Sequence, residues 1–69
     1  MTLEELRLKC GYSKRELARL ARVDYNTLLR AMNGETVSLN TANRLSLAIS
    51  QGLGREIRIQ DIDGLVVGR

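Results

Sequence analysis

The 69-residue chain has one cysteine, no histidine and no proline. Cys10 alone cannot close an internal disulfide, and without histidine or a second cysteine no tetrahedral zinc site can be built from soft ligands. A chain this short buries only about 60% of the surface that its unfolded form exposes. With disulfide and metal excluded, its stability must come from regular helix packing or from a partner subunit. The single cysteine favours a reducing compartment. Charges begin at Glu4, so no signal-peptide core stands at the N-terminus, and no apolar run approaches the ~20 residues that span a bilayer. The expectation is a soluble, cytoplasmic chain forming one domain over residues 1–69, with no membrane segment, no metal and no cofactor.

Enzyme chemistry finds little support. There is no histidine and no Walker loop, and Gly52-Leu53-Gly54 lacks the later glycine of a dinucleotide fingerprint, with Ile57 in its place. No catalytic residue is expected.

The net charge of +3 is unevenly placed. Up to Gly34 there are seven basic residues (Arg7, Lys9, Lys14, Arg15, Arg19, Arg22, Arg30) against four acids (Glu4, Glu5, Glu16, Asp24), whereas from Glu35 to Arg69 the counts are four and four. The whole excess lies in the N-terminal half, where a polyanion would be met. Scattered basic residues also simply solvate helix faces, so charge alone makes no motif.

With proline absent, boundaries are marked by glycine, caps and apolar spacing. Leu3, Leu6 and Cys10 recur at helical spacing before Gly11, which predicts a helix over about 2–10. Ser13-Lys14-Arg15-Glu16 fits the S-x-x-E capping box and opens a second helix over 14–21, with Leu17, Leu20 and Ala21 as its stripe. Asp24 is the expected N-cap of a third helix over 25–33, and Gly34 its left-handed stop. At about 100° per residue, Leu28, Ala31 and Met32 share one face of this helix and Asn26, Arg30 and Asn33 the other, with Tyr25 and Leu29 on the flank between. Ser38 caps a fourth helix over 39–51, with Leu45, Ala48 and Ile49 inward and Gly52 closing it. Beyond Gly54, within 57–67, the alternation of Ile57 and Ile59 with polar residues suits a strand, while Gln60-Asp61-Ile62 suits a short fifth helix.

Two short helices joined by a tight turn at Arg22 to Asp24, the second with a polar outer face, are what a reader of the DNA major groove requires. Val23 can plug the space between them, and Ala18 is small enough to let them approach. Leu17, Ala18, Val23, Thr27, Leu28, Arg30 and Asn33-Gly34 together resemble the Cro and phage-repressor type of helix-turn-helix, also called XRE-like. The likeness continues more loosely from Leu3 to roughly Ile62. It implies an all-α, compact bundle of four to five helices.

It also implies roles. Ser13 and Lys14, with Arg15 beside them, stand where the family clamps a DNA phosphate through backbone N–H groups and positive charge. Tyr25, Asn26 and Arg30 stand where it reaches base edges; Thr27 and Asn33 stand where it touches the backbone. Side-chain chemistry agrees: Asn pairs bidentately with adenine and Arg with guanine, each pair discriminating by about 1–3 kcal/mol. Outside such a motif Asn26 and Arg30 would be ordinary surface residues, and Tyr25 suits closing over the core as well as touching a base. Leu29 suits a half-buried edge, a partner contact or a thymine methyl. Arg22 replaces a common turn glycine. If its φ is positive the residue costs on the order of 1 kcal/mol, while its charge suits a phosphate.

The implied function is sequence-specific recognition of double-stranded DNA by a homodimeric transcriptional regulator, a repressor at a pseudo-palindromic operator. The rival is a protein-interaction module, such as an antitoxin-like partner subunit or the DNA-binding part of a larger assembly. For it, the apolar tail of Ile57, Ile59, Ile62, Leu65, Val66 and Val67 offers a surface.

Overall fold

A computed structural model describes residues 1–68. Along these residues run α1 (Leu3–Cys10), α2 (Lys14–Ala21), α3 (Tyr25–Met32), β1 (Thr36–Ser38), α4 (Leu39–Leu53), a single 3-10 turn (Ile59–Asp61) and β2 (Val66–Gly68).

The helix starts follow local chemistry. At α2 the Ser13 hydroxyl accepts from the Glu16 N–H, and the Glu16 carboxylate accepts from the Ser13 N–H, both at 3.0 Å. An identical box opens α1: Glu5 N–H donates to Thr2 Oγ1 at 3.2 Å and Thr2 N–H to Glu5 Oε1 at 2.9 Å. Ser38 Oγ accepts from Thr41 N–H at 3.1 Å at the start of α4. Asp24 departs from expectation. It occupies the N-cap position of α3 in extended conformation, yet its side chain makes no capping hydrogen bond.

The helix ends share one geometry. A left-handed residue follows α1, α2 and α4 (Gly11, Arg22, Gly54), and Gly34 follows the Asn33 cap of α3. At each end the next N–H folds back onto a carbonyl five residues earlier: Tyr12 onto Arg7, Val23 onto Ala18, Glu35 onto Arg30 and Arg55 onto Ser50, at 3.0–3.3 Å. This is the Schellman pattern, which satisfies carbonyls that the helix leaves open. Arg22 alone does it without glycine, at φ 58° and ψ 45°. Its carbonyl accepts from Arg44 Nη1 at 2.9 Å, tying the turn between α2 and α3 to α4.

Leu6, Leu17, Leu28, Leu45 and Ile49 are almost completely buried, and around them lie Leu3, Ala18, Ala21, Ala31, Val37, Ala42, Ala48, Ile57 and Ile62. Alanine at positions 18, 21, 31, 42 and 48 thins the helix surfaces that meet in this cluster. Leu20 does not join them and is exposed. The buried stripe of α2 is centred on Leu17, Ala18 and Ala21, which leaves Leu20 about 100° away around the axis.

Four further expectations are corrected. Strands β1 and β2 pair in parallel, Thr36 with Val66, Val37 with Val67 and Ser38 with Gly68, so the fold is mostly helical with a small sheet rather than all-α. The parallel pairing follows from the crossover, since β1 runs directly into α4, which carries the chain back. In place of a fifth α-helix there is one 3-10 turn, and the strand of the tail lies at Val66–Gly68 rather than at Ile57 and Ile59. Helix α4 runs on to Leu53 and stops at Gly54. Gly52 lies inside it, where a Cβ would come within 2.7–2.9 Å of Cys10 Sγ and the Tyr12 ring. Finally, the tail is divided: Ile57 and Ile62 are buried, Ile59 and Leu65 pack against the core, and Val66 and Val67 stay exposed. Ser50 pins the tail, its hydroxyl accepting from Ile57 N–H at 2.8 Å and donating to the Ser46 carbonyl at 2.7 Å. No helix among the described residues is long and apolar enough to cross a membrane.

Two outcomes follow. Glycine relaxes the left-handed position without touching the Arg44 bond, which uses only the backbone carbonyl. Arg22→Gly should therefore stabilise the fold by about 1 kcal/mol, a rise of about 4–8 °C in thermal melting for a domain this size. The carboxylates of Glu4, Glu5 and Glu16 are held below their ordinary range, Glu4 by the Arg7 guanidinium and Glu5 and Glu16 by the capping boxes. Groups depressed by folding stabilise above their unfolded value and lose that contribution as they protonate. The melting temperature should thus be level near neutrality and fall as pH drops below about 4.5; a melt series from pH 7 to 3 reads it.

Candidate nucleic-acid interface

Burial of Leu28 and Ala31 sets the rotation of α3, and with that rotation Asn26, Arg30 and Asn33 face outward and are exposed. Thr27 and Leu29 lie half-buried on either side. The predicted polar and apolar faces of this helix are therefore the observed ones. Tyr25, the first residue of α3, is also half-buried and packs against the core. Above its ring stands Arg15, with Cζ 4.8 Å from the centroid. Leu29 takes the half-buried edge position.

The start of α2 lies beside this surface. Ser13 is exposed and Lys14 half-exposed. The capping box occupies the N–H groups of Ser13 and Glu16. The N–H groups of Lys14 and Arg15, the first two residues of the helix, have no intrahelical partner and point along its axis with the positive end of the dipole. Glu16 sits close by as a carboxylate, a negative charge at the mouth of this cationic group. Any anion bound there meets two backbone donors and two cations, less the repulsion of one acid.

Arg22 lies just past the other end of α2. It follows the last turn, about 13 Å along the axis from Ser13, and borders the N-terminus of α3 instead. Ser13, Lys14 and Arg15 form one group, Asn26, Arg30 and Asn33 a second, Tyr25 bridges them through Arg15, and Arg22 stands apart at the turn.

Two contributors escaped the sequence pattern. Arg44 on α4 belongs to the electrically balanced half of the chain, yet its guanidinium reaches the turn of the two-helix unit. Arg7 on α1 is a second such strut. It binds Glu4 through Nε and Nη2, both at 2.8 Å, and donates from Nη1 to the Tyr12 carbonyl at 2.7 Å, steadying the loop that leads into α2. A Glu–Arg pair three apart is a readable signal for the first contact, whereas the bond to Tyr12 depends on the loop's path.

No curated protein and no solved structure matches the chain significantly. A helix-turn-helix family model matches residues 3–58, which takes in all four α-helices and stops short of the 3-10 turn and β2. With the two-helix unit, its exposed polar face and its cationic helix start already in place, the chain belongs to the helix-turn-helix family of the Cro and phage-repressor type, a family of DNA-binding regulators.

Proposed function

We propose that residues 1–69 form a single DNA-binding domain that acts in the cytoplasm as a homodimeric, sequence-specific transcriptional repressor, with α3 lying in the major groove. The observation that carries this is the outward face of Asn26, Arg30 and Asn33, opposite the buried Leu28 and Ala31 and beside the capped start of α2. In this arrangement Tyr25, Asn26 and Arg30 read base edges. Ser13, Lys14, Thr27 and Asn33 hold phosphates, and Arg22 meets the backbone from the turn. Binding through side chains and backbone N–H groups needs no cofactor.

Homodimerisation is supported by the small core and by the apolar side chains left outside it, Leu20, Leu47, Val66 and Val67. Two copies related by a two-fold axis would place their α3 helices about 34–36 Å apart, one turn of duplex, and so read a pseudo-palindrome. A protein partner on the same exposed apolar residues is the competing use.

In-vitro selection from random duplexes at fixed salt tests the function, and a protein that enriches no sequence overturns it. Arg30→Ala should relax preference at one base pair by about 1–3 kcal/mol. Lys14→Ala should weaken all duplexes alike and lower the salt slope by about one. Equal behaviour of the two variants removes the division of roles. In sedimentation with a selected duplex, two copies per site are expected; a single copy removes the palindrome.

A further inference from the structure

We infer that Arg15 is a positioning residue for Tyr25, setting base preference through the tyrosine rather than by its own contact with DNA. Tyr25 opens α3, so no preceding helical turn limits its side chain in the way that the interior of a helix does. Something outside α3 must hold the ring if it is to meet a base edge in one orientation. Two contacts do so: the ring packs against the buried cluster, and the guanidinium of Arg15, from the first turn of α2, covers its face with Cζ 4.8 Å from the centroid. A planar guanidinium stacks on an aromatic face as a lysine ammonium does not, which makes the arginine side chain itself, and not only its charge, the requirement. The contact also links the phosphate-facing start of α2 to the first residue of α3, so an anion settling on Lys14 would bear on the same turn that holds the ring. Lys14, half-buried at the first position of α2, has no aromatic ring beneath it among the described residues. The two neighbouring cations thus have separate tasks.

This inference rests on Tyr25 acting at base edges, as proposed above. The test is in-vitro selection at fixed salt with the unmodified protein, Arg15→Lys, Tyr25→Leu and the double variant, together with salt titrations on the selected duplex. Arg15→Lys keeps the charge and, being exposed, the fold. It should relax preference at one base pair by about two- to fivefold with an unchanged salt slope. Tyr25→Leu should relax the same pair, and the double variant should lose nothing more. Should Tyr25→Leu fail to fold, the free unmodified protein still reports the stacking, as an upfield ring-current shift of the Arg15 δ-methylene protons in its NMR spectrum; an unshifted signal overturns the inference. Unchanged preference in Arg15→Lys, with Arg15→Gln weakening every duplex equally and lowering the slope by about one, makes Arg15 a phosphate contact and overturns the inference alone. An unmodified protein that selects no sequence overturns the proposed function, and this inference falls with it.

Discussion

The burial of Leu28 in the same cluster as Leu17, Leu45 and Ile49, none of which retains any solvent exposure, is the contact on which the rest of the molecule depends. Each such side chain contributes about 1.5–3 kcal/mol when taken fully from water. That is a large part of the total stability that a domain of this size can have. No disulfide supplements it, since Cys10 is a lone, half-buried thiol. The apolar side of α3 is therefore not free to turn, and the orientation of its polar side is a consequence. Asn26 and Arg30 face outward because Leu28 cannot.

The capping box of α2 has two opposed effects. Glu16 stabilises the helix by closing on Ser13, and hydrogen bonding keeps it ionised. The same charge repels an anion from the start of the helix, where the unpaired N–H groups of Lys14 and Arg15 would attract one. The cations at positions 14 and 15 offset it. Local stability and anion binding thus compete for one turn of helix, and the N–H groups left over by the cap define where an anion can sit.

The C-terminal segment completes the core without forming a further α-helix. Ile57 and Ile62 enter the cluster, Ser50 holds the segment through side-chain bonds, and β2 closes against β1 immediately before α4. Two strands of three residues would not persist alone. Here they are held because β1 leads straight into a helix whose inner face is fully buried.

The four α-helices, the capping box of α2, the glycine stops of α1 and α3 and the two faces of α3 could be read from residue order. Caps and amphipathic periods act within one or two turns of chain, so nearby residues suffice to specify them. The sheet could not be read, because three-residue strands show no period and Thr36 finds Val66 across the length of α4. The end of α4 was misplaced at Gly52 because a glycine that makes room for Cys10 and Tyr12 looks, in sequence, like one that ends a helix. The same holds for the site. The sequence alone determined which residues are candidates for DNA. Only the tertiary structure decided that Arg15 lies on Tyr25 and that Arg44 braces the turn at Arg22. Those contacts join separate elements of the chain, and their geometry exists only once the core has set how the helices pack.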